Sequence, residues 1–186
     1  MKNKIALVVL IIFTITISVL GISLFAMSQS TTSSLPSSTN PENWQIYFQD
    51  PTKTPGDIME TDIKTLCTTG YTNDVRLQTT KIKKTIFKEY GINWRDHSMY
   101  EDDHLIPLVL GGSNEIINRF PQFYCPKETA GKTCAGAREK DVVENYFHKY
   151  VCDKNISEGE AKNRLKFAQE QIVKNWFAVY RKIKGF

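Results

Sequence analysis

Asp103 and His104 stand side by side, and Asn118 follows fourteen residues after the histidine. Between them lie the apolar Leu105-Ile106-Pro107-Leu108-Val109-Leu110 and the loop-like Gly111-Gly112-Ser113-Asn114. A carboxylate, an imidazole and an amide in this order suit the hydrolysis of a phosphodiester. That reaction needs a water aimed at phosphorus, a cation to offset the phosphate charge, and a group that accepts a proton. Asp103 could hold a hard divalent ion through oxygen. His104 could take a proton from water, because an unperturbed imidazole titrates at about pH 6.5. Asn118 could hold the ring in place. Adjacent side chains on a strand point to opposite sides, so a twist or bulge is expected if Asp103 and His104 are to reach one phosphate.

The elements that must position these residues are legible in outline. Residues 99–110 have the makings of a strand and turn, and 118–123 of a returning strand. Residues 79–90 read as a helix, with Ile82, Ile86, Phe87 and Tyr90 on one face, a Thr at the start and Gly91 past the end. A second helix is expected over 135–150, with Val142, Val143, Tyr146 and Phe147 as its apolar side. Ser157-Glu158-Gly159-Glu160 has the form of a capping box. The helix it opens should run to about residue 182 and bury Leu165, Ala168, Ile172, Trp176, Val179 and Ile183. Trp176, Phe177 and Tyr180 read as packing residues. Residues 62–67 read as a helical turn or an extended piece, and 71–78 are too short to classify.

The 186 residues divide into three parts. Lys2 and Lys4 precede an uncharged apolar run from Ile5 to Met27, long enough to span a bilayer and basic at its start like a secretory signal. Residues 1–27 are therefore a signal peptide or an N-terminal membrane anchor, and either one exports the rest. Residues 28–43 are rich in Ser, Thr, Pro and Asn and read as a flexible linker. Residues 44–186 are one ordinary domain.

The chain carries 24 basic and 20 acidic residues, a net charge of +4. That balance does not by itself indicate nucleic acid. Locally, Lys81, Lys83, Lys84 and Lys88 cluster on the first helix, and Lys162, Arg164, Lys166, Lys174, Arg181, Lys182 and Lys184 lie along the last. A solvated helix face explains such clusters as well as a polyanion does. The four cysteines all follow the export segment, and an even number in an oxidising compartment suggests two disulfides. Of the three pairings, Cys125–Cys134 as a local clip with Cys67–Cys152 as a long-range staple is expected. A structural zinc site is the rival, though no Cys-x-x-Cys pair is present.

Asp103-His104-Leu105-Ile106-Pro107-Leu108, Gly111-Gly112-Ser113-Asn114 and Asn118 together resemble the HNH endonuclease family, whose fold is a two-stranded hairpin followed by a helix around one metal. The resemblance to small bacterial HNH-like proteins takes in Cys67-Thr68-Thr69-Gly70-Tyr71-Thr72, Val75-Arg76, Lys140-Asp141-Val142-Val143-Glu144, His148 and Val151-Cys152. It covers roughly residues 55–182. It implies an α+β fold, mostly helical, with a ββα-metal hairpin and helix surrounded by further helices. It makes Asp103 a metal ligand, His104 the general base, and Asn118 the support of hairpin and imidazole.

The family's third ligand, a His or Asn near the start of the following helix, has no counterpart in Cys134-Ala135-Gly136-Ala137-Arg138-Glu139. Asp141, Glu144 and His148 are the candidates to replace it. Arg76 could contact phosphate or form a structural salt bridge, Lys140 could contact phosphate or pair along the helix face it shares with Glu144 and His148 at four-residue spacing, and His97 reads as structural. The expected activity is metal-dependent DNA hydrolysis outside the cytoplasm. Mg²⁺ is the expected ion, with Mn²⁺ or Zn²⁺ as alternatives. Binding is expected to be mainly to the phosphate backbone, with low sequence specificity. A membrane contact through the N-terminal segment is expected if that segment is retained, and the sequence does not reveal whether an inhibitor protein exists. The competing expectation is an HNH scaffold without a complete metal site, serving as a surface-tethered binding domain.

Overall fold

The computed structural model describes residues 37–39 and 45–186. The expected export segment, most of the expected linker, and Trp44 lie outside the described residues. The fold is mixed α+β and mostly helical, as expected. The strands are β1 (Ser37–Thr39), β2 (Gln45–Tyr47), β3 (Tyr100–His104), β4 (Arg119–Phe123) and β5 (Cys134–Ala135). The α-helices are α1 (Ile63–Leu66), α2 (Tyr71–Val75), α3 (Thr80–Glu89), α4 (Ala137–Val151) and α5 (Glu158–Lys184). Short 3₁₀ turns cover Trp94–Met99, Leu108–Leu110 and Ile116–Asn118. Among the described residues no helix is long and apolar enough to cross a membrane.

The centre of the fold is the antiparallel pair β3–β4, with Asp103 opposite Phe120 and His104 opposite Arg119. Tyr-Glu-Asp-Asp-His is a poor strand sequence by propensity. It holds because its acids have buried partners. Arg119 grips Asp102 at two points, Nε to Oδ1 at 3.0 Å and Nη2 to Oδ2 at 2.5 Å, and neither side chain is exposed. A second sheet runs β1-β2-β5, with β1 antiparallel to β2 and β5 parallel to it. Ser37–Thr39 falls within the expected flexible linker and is a strand instead. The pairing is made by backbone groups, which a polar sequence supplies as well as an apolar one.

The loop that joins β3 to β4 is built on two glycines and one asparagine. Gly111 has a φ of +81°, and a Cβ there would lie 2.0 Å from the Glu60 carbonyl oxygen; at Gly112 it would lie 1.7 Å from that of Ile106. Asn118, fully buried, uses its whole side-chain amide on this loop. Its Oδ1 accepts from the Ile106 N–H at 3.0 Å and the Asp57 N–H at 3.3 Å, while Nδ2 donates to the Ile106 and Ser113 carbonyls at 3.0 and 2.9 Å.

α4 and α5 pack on the hairpin and on each other, burying Val143, Phe147, Leu165, Ala168, Ile172 and Trp176 against Leu105, Leu110 and Phe120. The Thr79 hydroxyl caps α3, accepting from Ile82 N–H at 3.2 Å. Ser157 caps α5 through the Glu160 N–H, but only half of the expected capping box forms. The Glu160 carboxylate turns to Arg164 instead, at 3.0 Å. Inside α5, Asn175 leaves helical geometry (φ −171°, ψ 80°), and its Oδ1 accepts from the Ala178 N–H at 3.0 Å. This break turns the following segment, so Phe177 and Tyr180 are buried. Val179 and Ile183, placed in the stripe by an unbroken 3.6-residue period, are only half-buried. Residues 62–67, read as a helical turn or an extended piece, contain the short helix α1, and the unclassified 71–78 contains α2.

The cysteines pair as Cys67–Cys152 and Cys125–Cys134, which rules out a cysteine zinc site. The first joins α1 to the end of α4 across 85 residues of sequence; the second closes 9. Longer loops lose more chain entropy when closed. Replacing Cys67 and Cys152 by Ser should therefore cost about 4 kcal/mol in urea unfolding, and replacing Cys125 and Cys134 about 2–3 kcal/mol. Equal losses from the two double variants would contradict the ordering.

Candidate functional site

Two carboxylates and a backbone carbonyl from α4 and β3 meet around one ammonium. Lys140 is wholly buried, and its Nζ donates to the His104 carbonyl at 2.7 Å and to Glu144 Oε1 at 2.5 Å. It also pairs with Asp103 Oδ2 at 3.0 Å. An ammonium has three donors, and these partners use all of them. Burial pulls the Lys140 pKa down, but Asp103 and Glu144 together more than reverse this, so it stays charged. Asp103 is equally committed, since its Oδ1 accepts from the His104 backbone N–H at 2.8 Å. Lys140 was expected to meet phosphate or to form an ion pair along its helix, and the pair with Glu144 is the one present. It has no donor left for a phosphate and instead ties α4 to the end of β3.

α4 can approach this closely because Gly136 precedes it. A Cβ at Gly136 would lie 2.0 Å from the Phe123 carbonyl oxygen. The Gly136 N–H donates to Glu139 Oε2 at 2.9 Å, which caps the helix start.

Pairing is continuous through Asp103 and His104, and no bulge turns their side chains together. Asp103 faces Lys140 on α4. The His104 ring faces the loop before β4, where its Nε2 lies 3.3 Å from Asn114 Oδ1. A phosphate touching both would have to lie across the end of β3. Asn118 was expected to hold the imidazole; its four hydrogen bonds all go to backbone groups, and Asn114 contacts the ring instead.

The Asn114 amide has a defined orientation. Its Nδ2 donates to the Val75 carbonyl at 2.8 Å and its Oδ1 accepts from the Leu77 N–H at 2.9 Å. The atom facing His104 is thus an acceptor. Nε2 must carry the proton, which leaves the lone pair on Nδ1. Asn114 lay in the Gly-Gly-Ser-Asn loop of the sequence without an assigned role. Only the approach of α2 to that loop makes it an orienting residue.

His104 is buried, which pushes its pKa down, and the charges of Arg119 and Arg76 push the same way, to about 3. It is neutral at pH 7. Burial raises the pKa of Glu101, Asp141 and Glu144, with the Asp103 charge adding to each; Lys140 opposes the rise at all three. Four carboxylates thus share this locus with one ammonium. Arg76 is exposed, and its charge acts on both His104 and Asp141, so it stands near the mouth of the site. His97 stacks on Trp94 with centroids 4.4 Å apart, and its Nδ1 lies 2.8 Å from the Trp94 carbonyl oxygen. It is a packing residue, as expected.

No group of three or more His, Cys, Asp and Glu side chains that could hold a metal occurs among the described residues. Asp141, Glu144 and His148 therefore do not complete a three-donor site with Asp103. Glu144 is drawn to Lys140, and His148 lies a turn further along α4. The donor set does not fit a closed zinc cage. No protein family, curated protein or solved structure matches this chain.

Two measurements follow. Lys140→Met leaves Asp103 without its cation and should cost about 3–5 kcal/mol in urea unfolding; a loss below about 1 kcal/mol would show that the ammonium is not what holds the site. The second concerns acid. The unfolded chain binds a proton at His104 near pH 6.5, the folded one near 3. Between these values the unfolded state holds more protons, so this group's contribution to stability falls as pH drops. The raised carboxylates act in the opposite direction, losing stability as pH rises, so wild type should be compared with His104→Gln. Relative to that variant, wild type should lose stability progressively from about pH 6.5 towards about pH 3. A constant difference would contradict a depressed His104.

Proposed function

We propose that the domain is an exported HNH-like phosphodiesterase that hydrolyses DNA with low sequence specificity. The observation that carries this reading is the state of His104. It is a neutral imidazole whose Nε2 is tied to Asn114 and whose Nδ1 lone pair is left to accept a proton, one residue from Asp103 on a hairpin braced by α4. In this reading Nδ1 takes the proton of the attacking water. Asn114 acts by fixing the tautomer and Asn118 by shaping the loop that presents the ring. Asp103 would hold a divalent ion together with water and the substrate phosphate, and such an ion supplies charge neutralisation at phosphorus. Arg76, exposed beside His104, contacts a phosphate oxygen. The two disulfides are compatible with an oxidising location outside the cytoplasm.

A specific observation favours a second reading. Asp103 already has an internal cation in Lys140, at 3.0 Å. A scaffold whose metal has been replaced by an ammonium would bind a partner without hydrolysing it.

The two readings part in one assay: nicking of supercoiled plasmid by the oxidised protein with Mg²⁺, Mn²⁺, Zn²⁺ or a chelator. The phosphodiesterase reading expects metal-dependent nicking that His104→Ala lowers about 10²–10⁴-fold. No nicking with any metal, in a protein shown by circular dichroism to be folded, would leave the binding scaffold.

A further inference from the structure

We propose that the basic, aromatic face made by α3 and the turn after it is an entry surface for single-stranded nucleic acid. Phosphates would lie on Lys84 and Lys88, and an unpaired base on Trp94. The inference rests on the phosphodiesterase reading for its choice of polyanion. α3 and the turn after it, residues 80–99, hold five cations, Lys81, Lys83, Lys84, Lys88 and Arg95, against two carboxylates, Glu89 and Asp96. In a chain with a net charge of only +4, this is a concentrated patch. Solvated helix faces commonly set an acid four residues from a base. Here Lys84 has Lys88 at that position and Thr80 at the other, and Lys81 is three residues before Lys84. These like-charge neighbours repel one another along the helix, and an external polyanion relieves that repulsion.

The patch also has a shape. A groove of about 630 Å³ lies between Lys84, Phe87, Lys88, Ile92 and Trp94. The Trp94 ring is stacked on His97 at 4.4 Å and meets Phe87 edge-on at 5.9 Å, so its orientation is held from two sides. Lys84 Nζ lies over the same ring, 5.1 Å from its centroid. That ammonium sits on a flexible exposed stem and can move to a phosphate while a base takes its place on the indole. Stacking on aromatic rings is sequence-tolerant, because every base has a π-face. Lys83 donates to the Tyr100 carbonyl at 3.2 Å, which ties α3 to the first residue of β3. Asp103 is three residues further on, about 10 Å along the strand. A strand held on this face therefore lies beside the hairpin.

The test uses the full-length oxidised chain in mild detergent, with a chelator present so that nothing is cut. Binding is read by fluorescence anisotropy with a labelled single-stranded oligonucleotide and with its duplex. Lys84→Glu/Lys88→Glu should weaken both by about 10-fold or more. The salt dependence on the single strand should become shallower by about 0.7 per lost phosphate contact. Trp94→Ala should weaken the single strand about 10-fold, within the range for one lost base stack, while leaving the duplex unchanged, and Trp94→Phe should restore most of the loss. Lys166→Glu/Lys174→Glu, on the exposed side of α5, serves as the control and should stay within about 2-fold. Wild-type binding by Lys84→Glu/Lys88→Glu, an equal loss in the control, or indifference of the single strand to Trp94→Ala would each overturn the proposal. The two readings fail separately. Binding lost in these variants, in a protein that never nicks DNA, sinks the phosphodiesterase and keeps the surface. Plasmid nicking at the wild-type rate by Lys84→Glu/Lys88→Glu sinks the surface and keeps the phosphodiesterase.

Discussion

The burial of one ammonium organises this domain. Lys140 has no exposed surface, and its three donors go to the His104 carbonyl, Asp103 and Glu144. A buried cation without partners would carry a large desolvation cost. The arrangement therefore constrains its neighbours. The end of β3 must present a carbonyl and a carboxylate to α4, and α4 must start close enough to reach them. Gly136 permits that approach, and the carboxylates of β3, unfavourable in a strand on their own, become its anchors.

Orientation of the imidazole and shape of the loop are handled by two different asparagines. Asn118 spends all four of its hydrogen bonds on the backbone around Ile106, Ser113 and Asp57, fixing a loop that already requires glycine at 111 and 112. Asn114, held by the backbone of Val75 and Leu77, determines which nitrogen of His104 carries the proton. The same chemical group thus does two jobs from positions four residues apart in one loop. α2, which looked too short to classify, matters because its C-terminal backbone orients Asn114.

The electrostatics of the site pull in two directions. Burial, helped by the charges of Arg119 and Arg76, keeps His104 neutral, while Glu101, Asp103, Asp141 and Glu144 gather around one ammonium. In the proposed reading the neutral ring would take a proton from water and the carboxylates would draw a divalent cation; in the rival reading Lys140 is the only cation they hold. The disulfides make the frame less dependent on its modest core. Cys67–Cys152 in particular fastens α1 to the far end of α4, the helix that carries Lys140.

The sequence by itself determined much of the local structure. The helical periodicities placed α3, α4 and most of α5, because one buried face repeats every 3.6 residues. The Gly-Gly loop and the two halves of the hairpin were visible for the same kind of reason: turns and strands have local residue requirements. The even cysteine count pointed to two disulfides, and the pairing present is the one favoured among three possible. Tertiary structure alone decided the rest. Whether Lys140 faces a phosphate or an internal carboxylate depends on how α4 docks, and a lysine looks the same in sequence either way. The break at Asn175 was hidden because its side chain caps a new helical segment within an uninterrupted pattern. The exchange of roles between Asn114 and Asn118 depended on the approach of α2, a contact between segments nearly forty residues apart. Local sequence encodes torsions and faces; which charge meets which, and which amide meets a ring, is settled only when distant segments pack.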